Sequence, residues 1–554
     1  MMKENNRSLS IDPKSGFCYE TKIYYNLRPP VPLPPESLPL SAASHALSLF
    51  HSNHLSPENT TALIDAATGH FLSYSEFIRR VKALSAYLLT TIGLSKGDTA
   101  FILSPTSLQI PVLYFSLFSL GVVISPANPA STQSEISHQI EISKPVIAFT
   151  TSTTAAKLPS SFRHGTILLD SLDFQSMMMT TLGAKLDQDR IEVNQFDPAA
   201  ILYSSGTTGR VKGVVLSHRN LIALIAGYYA LRPEIASENR RPSMITLPLF
   251  HTFGLFMCVK AVAFAETVVL MKRFDFEEML RAIEKYKVSY MTVSPPLVVA
   301  MASSELVEKY DLSSLERLGC GGAPLGKEVT ERFATRFPHL EIIQGYGLTE
   351  STGAAARMVG PDEVKQYGSV GRLAENLEAK IVDPASGDPL PPGQQGELWL
   401  RGSIIMRGYA GDDKATASTL DPEGWLKTGD LCYFDSDGFL FIVDRLKELI
   451  KYNAYQVPPA ELEHLLQSHP EIADAAVIPY PDKDGGQIPM AFTVRKPGSN
   501  LTEAQVMDFI AKQVAPYKKI RRVAFINSIP KTPAGKILRR ELVKRALSSA
   551  SAKL

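Results

Sequence analysis

The chain predicts an α/β protein: a large N-terminal domain of layered α/β subdomains plus a small β-rich subdomain, and a small α+β C-terminal domain. Three observations carry this. From about residue 60 to 340, helical patterns alternate with short β-branched runs, the texture of helices laid on largely parallel sheets. After about residue 370 the chain changes to short strands broken by Pro, Gly and Asp turns, such as DPASGDPLPPGQQG and DSDG. The 554 residues also exceed one compact core, since about 100–200 residues per domain allows about three to five units.

Residues 28–39 (RPPVPLPPESLP) form a Pro-rich segment expected to be extended and packed on the surface. Ser75–Leu89 reads as a helix with Ser73 as its cap, and Leu108–Leu120 as a second helix. Thr99–Leu103, Val122–Ser125 and Pro145–Thr150 read as strands. Pro111–Ile124 is too short to span a bilayer, and Phe253–Met271 contains Lys260 and Glu266; both read as buried helices. Ala379–Val382, Gly396–Leu400 and Gly438–Val443 are the short strands of the β-rich unit. Asp435-Ser436-Asp437-Gly438 between them lacks the distal Glu of a calcium loop and reads as a hairpin turn. Beyond Asp444, roughly 110 residues carry helices near Pro459–Ser468 and Thr502–Gln513. The boundaries drawn are 1–40 for the Pro-rich N-terminal segment, 41–443 and 444–547 for the two domains, and 548–554 for a tail.

Lys plus Arg total 57 and Asp plus Glu 56, a formal net charge of +1, with 45% hydrophobic and 20% charged residues. This is a globular composition with no global field to draw nucleic acid or an anionic membrane. An anionic ligand must therefore be held by locally placed groups. Cys18, Cys258, Cys320 and Cys432 lie far apart, with no metal-ligand spacing, which favours a reducing compartment over a disulfide framework. The N-terminus lacks the apolar core of a secretory signal, so the sequon Asn59-Thr60-Thr61 is expected to be inert. Ala552-Lys553-Leu554 is a conservative variant of the Ser-Lys-Leu address read by the peroxisomal import receptor, with a cytoplasmic location as the alternative. A monomer or weak oligomer is expected.

The densest chemical signal is Ser204-Ser205-Gly206-Thr207-Thr208-Gly209-Arg210-Val211-Lys212-Gly213, between the apolar strands Ala200–Tyr203 and Val214–Leu216. Glycines let backbone N–H groups approach a polyphosphate, hydroxyls donate to its oxygens, and Lys212 neutralises charge. A Walker A loop would run Gly-Lys-Ser/Thr into a helix, whereas here Val precedes Lys212, Gly follows it and a strand comes next. A plain flexible hairpin is the competing reading. In Gln344-Gly345-Tyr346-Gly347-Leu348-Thr349-Glu350, an aromatic between two glycines offers a face for a purine. Thr349 can donate to a phosphate there, and Glu350 can hold Mg²⁺. The same Gly-Tyr-Gly is also common in ordinary turns. Gly321-Gly322-Ala323-Pro324 offers a backbone wall without large side chains. Asp430, in Trp425-Leu426-Lys427-Thr428-Gly429-Asp430, reads as a carboxylate on a tight turn able to accept both ribose hydroxyls. The basic residues of 444–451 and 530–536 singly read as solvated faces.

Together these motifs resemble the acyl-adenylate-forming superfamily, within it the 4-coumarate:CoA ligase and ligase-like branch, which is also similar to firefly luciferase. The resemblance runs from about residue 40 to 547 through SSGTTG, QGYGLTE, GELWLRG, WLKTGD, DRLKELIK and PAGKILRREL, in order. It implies that a small-molecule carboxylic acid is joined to ATP with loss of pyrophosphate, and that the coenzyme A thiol then displaces AMP, with cations where negative charge builds. Residues 41–443 would be the adenylate-forming domain and 444–547 a mobile C-terminal domain.

The resemblance also implies roles. The Ser204–Lys212 loop would hold the β- and γ-phosphates. Tyr346 would stack on adenine, with Gly322 and Ala323 along its other side and Gln344 and Gly345 adjoining the nucleotide. Thr349 would bind the α-phosphate and Glu350 the Mg²⁺, while Asp430 and Arg445 hold the ribose with Lys447 nearby. Lys536 would bridge carboxylate and α-phosphate, and His251 would sit at the adenylate. Rotation about Asp444 would then bring Lys451 and Gln456 into the place of Lys536, 85 residues further on. Phe250, Phe253, Gly254, Gly322, Gly347, Gly353 and Ala354 would border the acid.

Three departures bear on function. Relatives carry Lys and Gly where this chain has Asn453 and Ala454 near coenzyme A, so slowed thioesterification is expected. Gly353-Ala354 replaces the Pro-Val of hydroxycinnamate ligases, and Gly319 stands where a lysine sometimes occurs. A roomier, less polar acid pocket is therefore expected, open to ring-methoxylated cinnamates or to medium- and long-chain or cyclopentanone-type fatty acids. A luciferase-like oxygenase or acyl-AMP producer, and a non-catalytic binding protein on the same scaffold, are the alternatives.

Overall fold

The computed structural model describes residues 10–180, 191–204, 211–232, 241–323, 325–452, 455–482, 486–532 and 535–551. Within them the large N-terminal domain holds three sheets. One has seven strands, in the order Gly408–Tyr409, Lys212–Ser217, Pro198–Ser204, Val123–Ala127, Thr99–Leu103, Ile147–Thr150 and Thr166–Leu168, parallel from Pro198–Ser204 onward. A second has nine strands. Its centre runs parallel through Glu341–Leu348, Arg317–Cys320, Tyr290–Val293, Ser243–Ile245, Val268–Leu270 and Thr61–Asp65.

Three helices, Gln109–Ser119, His218–Ala230 and Thr252–Phe264, share one hydrophobic core with residues of both sheets. Buried on nearly every side, they carry apolar runs rather than a stripe. Each large apolar side chain so buried contributes about 1.5–3 kcal/mol.

The third sheet is antiparallel and makes the β-rich unit: Phe17–Cys18, Ile23–Tyr25, Leu377–Val382, Gly396–Gly402, Leu426–Phe434 and Leu440–Arg445. Its two N-terminal strands carry no periodic signal and are absent from the sequence reading. The Pro-rich segment that follows is held against the domain. Arg28 reaches the Arg357 carbonyl at 2.7 Å and Glu363 at 2.8 Å, and Gln195 donates to the carbonyls of Pro35 and Leu38. DSDG is the expected hairpin turn, with Asp435 Oδ1 accepting from the backbone N–H groups of Asp437 and Phe439.

The C-terminal part is a separate α+β sheet: Tyr455–Val457, Ile450–Tyr452, Gly486–Arg495 and Ile472–Asp482, with Arg522–Phe525 parallel to Gly486–Arg495. It has its own hydrophobic clusters.

Most predicted elements appear within a residue or two. Ser73 caps Tyr74–Tyr87 by accepting from the Glu76 N–H. Phe253–Met271 is not one helix: Ala265 adopts φ 54°, ending the helix at Phe264 and releasing the strand Val268–Leu270. The four cysteines are free and buried. No described helix is long and apolar enough to cross a membrane.

Candidate active site

A cavity of about 1770 Å³ opens along the nine-stranded sheet and reaches the C-terminal ends of strands from both large sheets. Open α/β sheets place ligands there because the loops leaving the strands converge on that edge. Ser204 and Lys212 enter the cavity from the paired ends of two antiparallel strands. Ser205, Gly206, Thr207, Thr208 and Gly209 lie outside the described residues, as do Pro324, Asn453, Ala454 and the C-terminal tripeptide. Lys212 Nζ sits 4.6 Å from the centre of the Tyr409 ring.

Gln344 to Leu348 belong to a strand, not a free loop, because Gly345–Leu348 pair with Gly353–Arg357. The chain then turns through Thr349–Ser351, which sets Thr349 and Glu350 at the cavity. Glu350 Oε1 accepts from Ser204 Oγ at 2.9 Å and Tyr409 Oη at 3.0 Å. No cluster of three or more metal-ligating side chains occurs among the described residues. A lone carboxylate of this kind fits a Mg²⁺ that takes most of its remaining ligands from phosphates and water, and does not fit an all-protein metal cage.

Asp430 likewise lies on a strand, not a tight turn, directly across from Arg445. Arg445 Nε reaches Asp430 Oδ1 at 3.2 Å, and Tyr346 Oη donates to Asp430 Oδ2 at 2.6 Å. Burial nevertheless pushes the Asp430 carboxyl up, with Arg445 and Tyr346 opposing that shift. Tyr346 and Arg445 line the cavity, while Asp430 stands behind them, 3% exposed.

His251 caps the helix Thr252–Phe264. Its Nδ1 accepts from the Phe253 N–H at 3.4 Å, and burial lowers its pKa, so the imidazole is neutral with its proton on Nε2. Phe250, Phe253, Gly321, Gly322, Gly347, Gly353 and Ala354 line the same cavity. Gly254 and Ala323 do not line it. A Cβ on Gly254 would meet the Pro248 carbonyl oxygen at 2.2 Å, so this glycine serves close backbone packing.

The C-terminal domain delivers Thr532 and Lys536 to the cavity. Thr532 Oγ1 accepts from the Lys536 N–H, and Gly535, at φ 85°, packs near Pro296 of the large domain. Burial, with Arg445 adding to it, brings the Lys536 pKa down to about 8. Lys451 and Gln456 face each other on an exposed hairpin away from the cavity, and Lys447 is exposed beside it. Asp444 is buried at the junction, where it accepts from the N–H groups of Arg445 and Ala460. One face of the small domain thus meets the cavity while the face bearing Lys451 stays outside.

Further along, the cavity is lined by residues that the sequence reading does not select: Tyr228, Lys260, Glu266, Tyr290 and Arg357. They place polar side chains along this part of the cavity. The room expected at Gly319 is also taken, because a Cβ there would lie 2.2 Å from Tyr290 Oη. Lys260, noted in sequence only as a charge inside an apolar stretch, pairs with Glu266 at 2.6 Å.

Two α/β layers, a β-rich unit and a small domain that seats a lysine in a shared cavity define an enzyme of the acyl-adenylate-forming class. The AMP-binding enzyme signature matches residues 49–410 and its C-terminal domain matches 461–536. The chain is 57% identical to 4-coumarate--CoA ligase-like 9 of Arabidopsis thaliana over 100% of both chains. It is 47% identical to peroxisomal OPC-8:0-CoA ligase 1 of Arabidopsis thaliana, covering 98% of this chain and 99% of that one. The crystal structure of ATP-bound MatB from Rhodopseudomonas palustris superposes with a TM-score of 0.80 at 26% identity, over 91% of this chain and 99% of that one. The protein belongs to the AMP-binding enzyme family, in its 4-coumarate–CoA ligase-like branch, and is an acid–thiol ligase.

Proposed function

We propose that the protein is an ATP- and Mg²⁺-dependent carboxylic acid–CoA ligase working in two steps, acyl-AMP formation and then thioester formation. The position of Lys536, half-buried near Arg445 in the cavity that Thr349 and Glu350 also line, supports this most strongly. In the first step a carboxylate oxygen attacks the α-phosphorus and pyrophosphate leaves. Two anions must be brought together, so Lys536 bridges the carboxylate and the α-phosphate. Thr349 binds the α-phosphate, Lys212 and the Ser204 hydroxyl face the β- and γ-phosphates, and Glu350 holds a Mg²⁺ that neutralises phosphate charge. Tyr346 stacks on adenine and Arg445 holds the ribose, with Asp430 joined to both. Neutral His251 borders the new adenylate.

In the second step the 444–547 domain turns about Asp444, and Lys451 and Gln456 replace Lys536 as coenzyme A enters. The acid is a hydroxycinnamate-type aromatic or a medium/long-chain or cyclopentanone-type fatty acid. The name of the peroxisomal relative supports the last of these. That relative and the C-terminal Ala-Lys-Leu also support a peroxisomal location. Incubation with ATP, Mg²⁺, coenzyme A and a panel of these acids, following AMP and thioester together, tests the proposal. Matched acid-dependent release of both supports it, and AMP without thioester would instead favour an acyl-AMP producer, as Asn453 and Ala454 allow.

A further inference from the structure

Two helices meet across the seam between the large domain and the small one. Lys327–Arg336 of the large domain packs against Pro459–Ser468 of the small domain. The first starts from Gly326 in the N-cap position, where Ser, Thr, Asp or Asn would satisfy an orphan backbone N–H and glycine has no side chain to do so. The backbone does not ask for glycine, since φ −65° and ψ 149° suit any residue. What excludes a side chain is the other domain. A Cβ on Gly326 would lie 3.1 Å from both Cγ and Cδ2 of His464, closer than an ordinary van der Waals contact. Burial lowers the His464 pKa, with Glu328 and Glu461 opposing, so a neutral ring faces the positive end of the large-domain helix.

Pro459–Ser468 is tied in turn to the arm that carries Lys536. Glu463, next to His464, pairs with Arg539 at 2.7 Å, and Arg539 also pairs with Glu448 at 2.6 Å. Arg539 stands three residues beyond Lys536, so these pairs, made by side chains less than a fifth exposed, join the helix to the arm. Beside Lys536, Gly535 meets the large domain just as closely, with its ideal Cβ 3.1 Å from Pro296 Cδ. The fit of His464 on Gly326 thus sets how far Lys536 reaches into the cavity.

We infer that Gly326 and His464 are positioning residues for acyl-AMP formation: the side chain missing at Gly326 leaves the socket in which His464 seats the small domain with Lys536 in the cavity. This rests on the two-step reading given above and adds to it a contact that must part when the small domain turns. A larger residue in the socket wedges the domains apart and disfavours one arrangement while leaving the other untouched.

The full chain is assayed in two half-reactions, pyrophosphate release from ATP with an acid, and thioester formation from supplied acyl-AMP and coenzyme A. Gly326→Thr keeps an N-cap about as good as glycine, so the variant should melt where the wild type does. Its acyl-AMP formation should fall about tenfold or more, the scale of an overpacked contact, while thioester formation stays within about twofold. His464→Ala removes the clashing ring, so adding it to Gly326→Thr should restore acyl-AMP formation about threefold or more. Gly326→Cys with His464→Cys acts in the opposite sense and decides the matter if Gly326→Thr melts early. His464 Cγ is one bond from its Cβ, which brings the two sulfurs within disulfide reach. Oxidised, this variant should still form acyl-AMP but lose thioester formation about tenfold or more, with recovery in dithiothreitol. Equal loss of both half-reactions, loss of neither, no recovery in the double variant, no disulfide, or a cross-linked enzyme that completes the thioester overturns the inference. Those outcomes leave the ligase reading standing, whereas a wild type that releases no pyrophosphate with any acid overturns both.

Discussion

The hydroxyl of Tyr290 fills the space that a side chain on Gly319 would need, 2.2 Å from the ideal Cβ position. The two residues lie on adjacent parallel strands, Tyr290–Val293 and Arg317–Cys320, so bulk on one strand is matched by its absence on the next. Gly319→Ala should cost about 1–3 kcal/mol through overpacking. The same change in a Tyr290→Phe background should cost clearly less, because the clashing oxygen is gone. Denaturant melts of the two single variants and the double variant measure this, and simple additivity would show that the two residues do not compete for space.

Tyr346 donates to Asp430 at 2.6 Å, and Arg445 holds the other carboxylate oxygen. Tyr346→Phe keeps the ring for stacking but leaves a buried carboxylate with one donor fewer. KM for ATP is expected to rise about three- to tenfold with little change in kcat. An unchanged KM would show that the hydroxyl has no part in nucleotide binding.

In the proposed adenylation step Lys536 works as a cation, and burial brings its pKa from 10.5 to about 8. Lowering a lysine pKa means that its charge is present below about 8 and lost above it. The kcat/KM of acyl-AMP formation, which reports the free enzyme, should therefore fall about tenfold per pH unit above that value. Lys536→Arg should remove the decline. Lys536→Ala should lower acyl-AMP formation about 10²–10³-fold while thioester formation from supplied acyl-AMP persists. Equal loss of both half-reactions would refute the exchange of Lys536 for Lys451.

Arg28 ties the N-terminal segment to Glu363 at 2.8 Å and stands 3.5 Å from Glu375, with the side chains of all three 10% exposed or less. Arg28→Ala leaves buried carboxylates short of a cation and is expected to cost about 3–5 kcal/mol. Chemical denaturation checks the loss. Arg28→Lys should recover only part of it, since a lysine cannot reach Glu363 and the Arg357 carbonyl with the same fork.

What could be read from the chain was set by locality. The strands flanking the Ser204–Lys212 loop and the helix Pro459–Ser468 were legible because each carries its own pattern or cap. Glycines at 345 and 347 disguised a strand as a loop, since side-chain-free positions break the alternation that marks strands. Phe17–Cys18 and Ile23–Tyr25 are too short to show a period, and the second joins the sheet through residues some 350 positions away. Arg357, Tyr228 and Tyr290 come from two strands and a helix that meet only in the folded chain, so no spacing links them. Lys260 and Glu266, two charges within an apolar run, were the sequence signals for that part of the cavity.

The sheet that carries Asp430 and Arg445 is closed by the oldest part of the chain. Tyr25 finds Glu378 only after about 350 further residues have been made, which at about 5–20 residues per second is about 20–70 s of synthesis. Until then the first two strands have only each other as native neighbours. If Leu377–Val382 emerged without them, it would present an unpaired edge open to foreign strands. The leading segment thus works as a late fastener, and changes near residues 17–28 should harm yield at the ribosome more than they harm the finished enzyme.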